Sequence, residues 1–392
     1  MSFLSFAQKD LARLLSNCNL ISPKKSEVEL FTYTKFAVTS GGVEITAINP
    51  SLFYHSTITP QSLDLGEVES LVFLVKTDLI TNAISLISDD LVGLEVSLEK
   101  HTVSIQGAKS KHTLRIDTQL VGEFTLPNEE AEQFETEVRL TLNDLSSANK
   151  IAGTSVGNPK VVYEPQFLNI CYTLNPTTKE MYIVSTDKYR LSKQKLVANY
   201  EEVKADVEFP KNYLLHPASL NLLTACAGPE DEVITLRFGQ NYLWIQLEEA
   251  TLTMRYGSGN FPEYDKIIPQ SFACSFLLES SELLESLKQI YFAARTNTIN
   301  KTVTINVRPE ENEIVFQAKT EDGNSSQSTI SLENYEGVQE SWDQSFNADY
   351  LLDYISTIKT PKLLWEANPG KPSVLSPEAQ KETQMCLVSG LR

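Results

Sequence analysis

Few residues of this chain are of a type and spacing that could do chemistry. His55, His101, His112 and His216 each lack a second histidine or a cysteine at metal-ligand spacing. Cys18, Cys171, Cys226, Cys274 and Cys386 are scattered, odd in number and form no CxxC pair. Neither a zinc site nor a disulfide framework is expected from them, and a reducing, cytoplasmic setting is. Gly370-Lys371 lies in ANPGKPS, where a phosphate loop's upstream glycine is missing and Pro372 replaces its Ser or Thr. HExxH and GxGxxG do not occur. Carboxylate runs at Glu129-Glu130-Glu132 and Glu310-Glu311 fall in turn-like segments and read as solvated charge. Asp187 stands in a sharper context, near Tyr189 and Arg190, but no partner acid is visible for general acid–base work. An enzyme built around those three is the weakest reading; no catalysis, cofactor or metal is expected.

The elements that would position these residues repeat. Leu4, Leu11, Leu15 and Cys18 share one face of a helix near the start. VRLTLNDLSSANKIA alternates through Val138, Leu140 and Leu142, offers Asn143 or Asp144 as a cap, then spaces Leu145, Ala148 and Ala152 helically. CSFLLESSELLESLKQIYFAAR repeats this change of period, with a stripe of Leu283, Leu284, Leu287, Ile290 and Ala294. Each third has a second helix: VKTDLITNAISLI, HPASLNLLTACA with Pro217 in the first turn, and FNADYLLDYISTI. Short alternating strands such as VEITAI, LEVSLE, YLWIQL, TVTINV and EIVFQA lie between, separated by turn signals. Polar, proline-containing stretches at 126–135 and at Pro262–Pro269 mark boundaries. The reading is α+β: three similar domains over 1–131, 132–268 and 269–392, each with two helices and about eight antiparallel strands. Strands outnumber helices too far for a βαβ parallel sheet.

Composition limits the partners. The chain has 392 residues, 41% of them hydrophobic, and a formal charge of −18. Such a chain repels phosphate at long range unless its cations gather on one face. The start lacks the basic and apolar regions of a signal peptide, and no apolar run reaches membrane-spanning length, so no membrane partner is expected.

Three segments carry a family resemblance. MYIVSTDKYRLSKQKL, residues 181–196, resembles the strand and ATDGHRLA turn of the bacterial sliding clamps, the β subunits of replicative DNA polymerases. Ser185, Thr186, Asp187, Arg190, Leu191 and Ser192 fit; Lys188 and Tyr189 stand where Gly and His are usual. GNFPEYDKIIP at 259–269 and FNADYLLDYI at 346–355 resemble the family's G-x-F-P-D/E-Y and F-N-x-x-Y-L motifs. The chain ends on CLVSGLR, with Ser389-Gly390 where Met-Pro is usual. The motifs cover the second and third thirds; the first matches in pattern only.

The resemblance implies half of a six-domain ring, closed as a homodimer around duplex DNA with helices lining the hole. DNA is then held topologically and without sequence preference. It implies DNA-facing cations at Lys9, Arg13, Lys24, Lys25, Lys150, Lys288 and Arg295. Between the second and third domains it implies a groove for a short peptide motif of the polymerase, clamp-loader subunits and other clients. Carried over by motif, that groove comprises Leu168, Thr186, Lys188, Tyr189, Arg190, Leu191, Pro262, Lys266, Ile267, Asn347, Tyr350, Ser373, Leu387, Val388, Ser389, Gly390, Leu391 and Arg392. The Lys188-Tyr189 and Ser389-Gly390 departures imply a shifted client motif. His112 and Leu114 are expected at the dimer contact, facing Arg295 and Thr296. Those residues are polar for such a contact, which implies a weaker dimer or one held by ion pairs. The alternative is a three-domain β-rich protein-interaction scaffold that does not encircle DNA.

Overall fold

The computed structural model describes residues 1–228, 230–296 and 300–391. Among them are six helices: α1 Gln8–Ile21, α2 Thr77–Ser85, α3 Leu142–Gly153, α4 Pro217–Cys226, α5 Ser280–Ala294 and α6 Ala348–Ile355. Each follows a strand directly or after one residue: Ser2–Ala7, Ser70–Lys76, Phe134–Thr141, Lys211–Leu215, Cys274–Glu279 and Trp342–Asn347. All strand pairings are antiparallel, and the fold is α+β. Each of the intervals 1–131, 132–268 and 269–392 contributes two helices and, among the described residues, nine strands. The count exceeds eight because short pieces such as Ser62–Asp64 are too brief to leave a pattern.

Two sequence expectations change at helix starts. Leu4 belongs to the strand Ser2–Ala7, opposite Leu63 and Leu94, not to the face of α1. The burial period there is two up to Ala7 and becomes helical only with Leu11, Leu14, Leu15, Cys18 and Ile21. Asn143 and Asp144 do not cap α3. The helix begins at Leu142, whose N–H donates to Glu232 O at 2.9 Å, so the strand runs into the helix without a break. Asp144 then sits in the first turn, where the helix dipole favours a carboxylate.

The chain forms two compact units. The first comprises Met1–Asn143, Asn199–Val207 and Ala218–Tyr256. Its fourteen strands form one sheet, from Asn199–Val203 at one edge to Ser62–Asp64 at the other. Phe36 and Phe73 stack at 5.1 Å in its core, and α1 packs on α2, where Thr81 Oγ1 donates to Leu15 O at 3.2 Å. Within this sheet the strand Lys111–Asp117 is paired along one side by Thr102–Gln106. On its other side only Ile116 and Asp117 pair, with Val75 and Leu74, so 111–115 show no second strand partner among the described residues.

The second unit comprises Asp144–Ala198, Glu208–Pro217 and the chain from Gly257 onward. A nine-stranded sheet runs from Lys211–Leu215 to Glu333–Gly337, and a four-stranded sheet from Ser325–Ser331 to Trp342–Asn347. One core gathers Phe276, Trp365, Phe346, Leu287, Ile290 and Ile151; a second gathers Cys171, Val184, Leu191, Phe261, Tyr264, Val374 and Leu387. Hydroxyls finish α3. Thr154 Oγ1 donates to Ile151 O at 2.7 Å, Ser185 Oγ donates to Ala152 O, and the Ser155 and Ser192 hydroxyls meet at 2.7 Å. These bonds satisfy carbonyls that the helix end leaves open and fasten α3 to the strands Glu180–Thr186 and Arg190–Val197.

Candidate functional site: a turn, a pinned terminal strand and helix cations

The turn after Glu180–Thr186 is built by one carboxylate. Asp187 Oδ1 accepts the N–H groups of Tyr189 and Arg190, both at 3.0 Å, the side-chain mimic of a backbone turn. Thr186 Oγ1 donates to Arg190 O at 2.7 Å and closes it. Lys188 sits at φ +81°, in the left-handed region that favours glycine, and it is here that the ATDGHRLA pattern has Gly. Its ammonium pairs with Glu164 and lies 5.2 Å from the Phe167 ring. The turn is thereby tied to the 3-10 segment Pro165–Leu168, where Leu168 is half-buried.

Arg190 is the centre of the site. Nε donates to Asp187 Oδ2 at 3.0 Å and Nη1 to Asp353 Oδ2 at 2.7 Å, while the guanidinium lies 4.3 Å from the Tyr350 ring. Burial opposes the charge, but hydrogen bonds and attraction from Asp353 and Asp187 outweigh it, and the pKa rises above its ordinary value. Asn347 caps α6 by accepting Asp349 N–H at 2.9 Å, which orients Tyr350 one turn on.

The last strand, Gln384–Val388, pairs with Arg190–Gln194, placing Val388 opposite Arg190 and Leu387 opposite Leu191. Beyond it, Ser389 N donates to Tyr189 O at 2.9 Å and Leu391 N to Ser345 O at 2.7 Å. Between them Gly390 lies against the Gln344 amide, in a space that a Cβ would fill. Gln344 is itself held, donating to Lys371 O at 2.7 Å. Glycine at 390 lets the terminal segment run this close.

The remaining groove residues divide by burial. Leu191, Ser373, Leu387 and Val388 are buried within the chain's own packing, and the Ser373 hydroxyl has no partner among the described residues. Pro262, Tyr350, Ser389, Gly390 and Leu391 are half-buried. Tyr189, Lys266 and Ile267 are exposed, and Lys266 pairs with Glu263. Lys193 ties their segment to the strand Arg190–Val197, reaching Asp265 at 2.7 Å between the rings of Tyr182 and Tyr264. Arg392 lies outside the described residues. The sequence reading missed Glu164, Asp353, Lys193 and Asp265, because ion pairs between distant residues leave no local pattern. Exposed apolar side chains beside a fixed guanidinium suit recognition of an extended peptide.

The helix cations differ among themselves. Lys9, Lys24, Lys25, Lys150 and Lys288 are exposed, with no ion pair among the described residues. Arg13 is already engaged: both guanidinium ends reach the Glu249 carboxylate, Nη2–Oε1 being 2.5 Å. Arg295 lies 5.3 Å from the ring of Phe292, which is 63% exposed. Thr296 Oγ1 donates to Ala293 O at 2.8 Å. His112 and Leu114 are half-buried on the open-edged strand Lys111–Asp117. No helix among the described residues is long and apolar enough to cross a membrane.

No protein-family model matches the chain. It is 20% identical over 381 residues to the beta sliding clamp of Streptococcus pneumoniae, a match spanning 94% of this chain and 93% of that one. It is 24% identical over 273 residues to the beta sliding clamp of Haemophilus influenzae, spanning 70% and 69%. The crystal structure of the DNA polymerase III beta chain of Streptococcus pneumoniae superimposes with a TM-score of 0.87 over 100% of both chains at 18% identity, which establishes the fold. In fold along its whole length, and in sequence over 94% of it, the chain is similar to beta sliding clamps.

Proposed function

We propose that the chain is a DNA sliding clamp, a non-catalytic processivity factor acting in the cytoplasm. The observation that carries this reading is the full-length likeness to beta sliding clamps. In it, the intervals 1–131, 132–268 and 269–392 are three clamp domains, and two copies close a ring around duplex DNA. The exposed lysines at 9, 24, 25, 150 and 288 meet backbone phosphates, a contact that is independent of sequence and weakened by salt, so the ring slides.

Two strand edges support closure by a second copy. Among the described residues, Lys111–Arg115 lacks a strand on one side in the first unit, and Ser325–Ser331 pairs only with Glu313–Lys319 in the second. Joining one copy's edge to the other's satisfies both rows of backbone groups. The expected contacts His112, Leu114, Arg295 and Thr296 lie on these two units, together with the exposed Phe292.

The groove around Arg190 is the seat for the motif of polymerase, loader and other clients. Lys188 at its rim and Gly390 in its floor shift the preferred motif away from one that fits Gly-His and Met-Pro.

The test is retention on DNA. The chain is assembled on a nicked circular duplex with a clamp loader, gel-filtered at moderate salt, and the circle is then cut once. Co-elution with the circle and loss after the cut is the expected result. Equal retention on linear DNA, or none on either form, sinks the ring and leaves the protein-interaction scaffold.

A further inference from the structure

The strand Arg190–Val197 carries two cations that reach carboxylates on other elements, and in both pairs the cation is the buried member. The Lys193 side chain is 18% exposed and that of its partner Asp265 72%; Arg190 is 11% exposed and Asp353 48%. The Lys193 ammonium is enclosed by the rings of Tyr182 and Tyr264, 4.5 and 5.1 Å away. Tyr264 is itself buried, with its hydroxyl 3.4 Å from Thr173 Oγ1. Each pair is therefore a dipole with its negative end toward solvent. The other two ion pairs at the turn and on the segment after Pro262, Lys188–Glu164 and Lys266–Glu263, expose both members to like degrees and give no such direction.

Asp265 lies beside the apolar part of the groove. Lys193 is two residues from Leu191, so the two share a face of the strand. Leu191 packs there with Leu387, Phe261 and Tyr264. Ile267 is exposed two residues beyond Asp265, in a tight turn where its N–H donates to Tyr264 O at 3.1 Å. Lys193 engages Asp265 Oδ1 at 2.7 Å, and a carboxylate has room for a second donor on its other oxygen.

We propose that the groove selects a peptide with a basic side chain beside its apolar anchor, and that Asp265 is the residue that selects it. The inference rests on the client-groove reading and adds the class of client. The apolar anchor packs on Ile267, and a Lys or Arg next to it donates to Asp265 in a charge-assisted hydrogen bond. An Asp or Glu at that place meets like charge, since the ammonium behind Asp265 is covered by the two rings. Asp265 falls at a position that the G-x-F-P-D/E-Y pattern leaves open, and only the fold shows which way its pair points.

The experiment uses the full chain and a displayed library of random decapeptides. Peptides enriched on wild type are screened against I267E, which places a charge on the exposed apolar member of the groove. Those lost on I267E are expected to carry Lys or Arg next to an apolar residue. One such peptide is then labelled, and its basic residue is changed to Glu. Anisotropy at low salt is expected to show binding about fivefold weaker on wild type and less than about twofold weaker on D265N. D265N is nearly isosteric at an exposed position and is expected to fold. E336Q removes a carboxylate from the strand Glu333–Gly337, at the far edge of the same sheet, and should respond like wild type. Enrichment of Asp or Glu next to the apolar residue, or an equal loss on wild type and D265N, overturns the inference and leaves the groove. Peptides that bind I267E as well as wild type, or no enriched peptide, overturn the groove reading and the inference with it.

Discussion

Arg190 and Arg13 are both held by carboxylates, but in opposite settings. The Arg190 side chain is 11% exposed and its partner Asp187 8%. Arg13 and Glu249 are 46% and 47% exposed. Around Arg190 water cannot replace a lost partner, so the charge is committed to the turn and to α6. Around Arg13 water screens the pair, and another anion can take the place of Glu249 at little cost. Geometry alone would rank the pairs together, since Arg13 engages its carboxylate through both ends of the guanidinium. Burial separates a structural cation from an exchangeable one.

The sharpest way to break this comparison is to delete both arginines and compare stabilities. R190A leaves Asp187 buried without its cation and is expected to cost about 3 kcal/mol, because a buried carboxylate stripped of its partner is strongly destabilising. The backbone N–H groups of Tyr189 and Arg190 remain on Asp187 and keep the loss from being larger. R13A is expected to cost less than about 0.5 kcal/mol. Urea denaturation of the two variants with unchanged m-values gives both numbers. Equal losses would mean that burial does not distinguish the two sites.

The comparison also shows what was legible beforehand. The turn was, because Thr186, Asp187 and Arg190 act within five residues and each needs its own residue type. The helix at FNADYLLDYI was too, although Asn347 turned out to be its cap. Asp353 and Glu249 were not, since they reach Arg190 and Arg13 from 163 and 236 residues away. Arg13 read as a free cation because helical spacing says which face a residue is on, not what stands opposite. The first strand was hidden for a related reason: Leu4 fits period two and period 3.6 alike until the strands opposite it are known.

Lys188 gives a middle-sized test at the edge of the Arg190 turn. K188A keeps a Cβ at φ +81° and loses the Glu164 and Phe167 contacts, whereas K188G loses the contacts but relaxes the backbone. K188G is therefore expected to be more stable than K188A by about 1 kcal/mol. A pH series sharpens this. The hydrogen bond from Lys188 holds the Glu164 carboxyl below its usual 4.5. A carboxyl depressed on folding stabilises above its unfolded pKa, and that contribution fades as pH falls through the folded value. The advantage of wild type over K188A should accordingly shrink below about pH 4.5. If K188A equals K188G, the left-handed turn carries no strain and the lysine is no departure from glycine in energetic terms.

The smallest expected change in stability belongs to Glu249, where the comparison bears on DNA. Arg13 shares its cleft with Asp10, Glu230, Asp231, Glu248 and Glu249, so an approaching phosphate meets five carboxylates around one guanidinium. E249Q removes the carboxylate that Arg13 is bound to, and stability should move by less than about 0.5 kcal/mol. Duplex binding should tighten, and the slope of log affinity against log salt should steepen by about 0.9, because the freed guanidinium neutralises one more phosphate. R13A/E249Q should return to the slope of R13A, because the tightening acts through the guanidinium. Anisotropy of a labelled duplex at several salt concentrations reads all of these. If E249Q leaves both affinity and slope unchanged, Arg13 does not meet a phosphate even when freed. Its pair with Glu249 is then surface structure only, and any hold on the duplex passes to the lysines that have no carboxylate to leave.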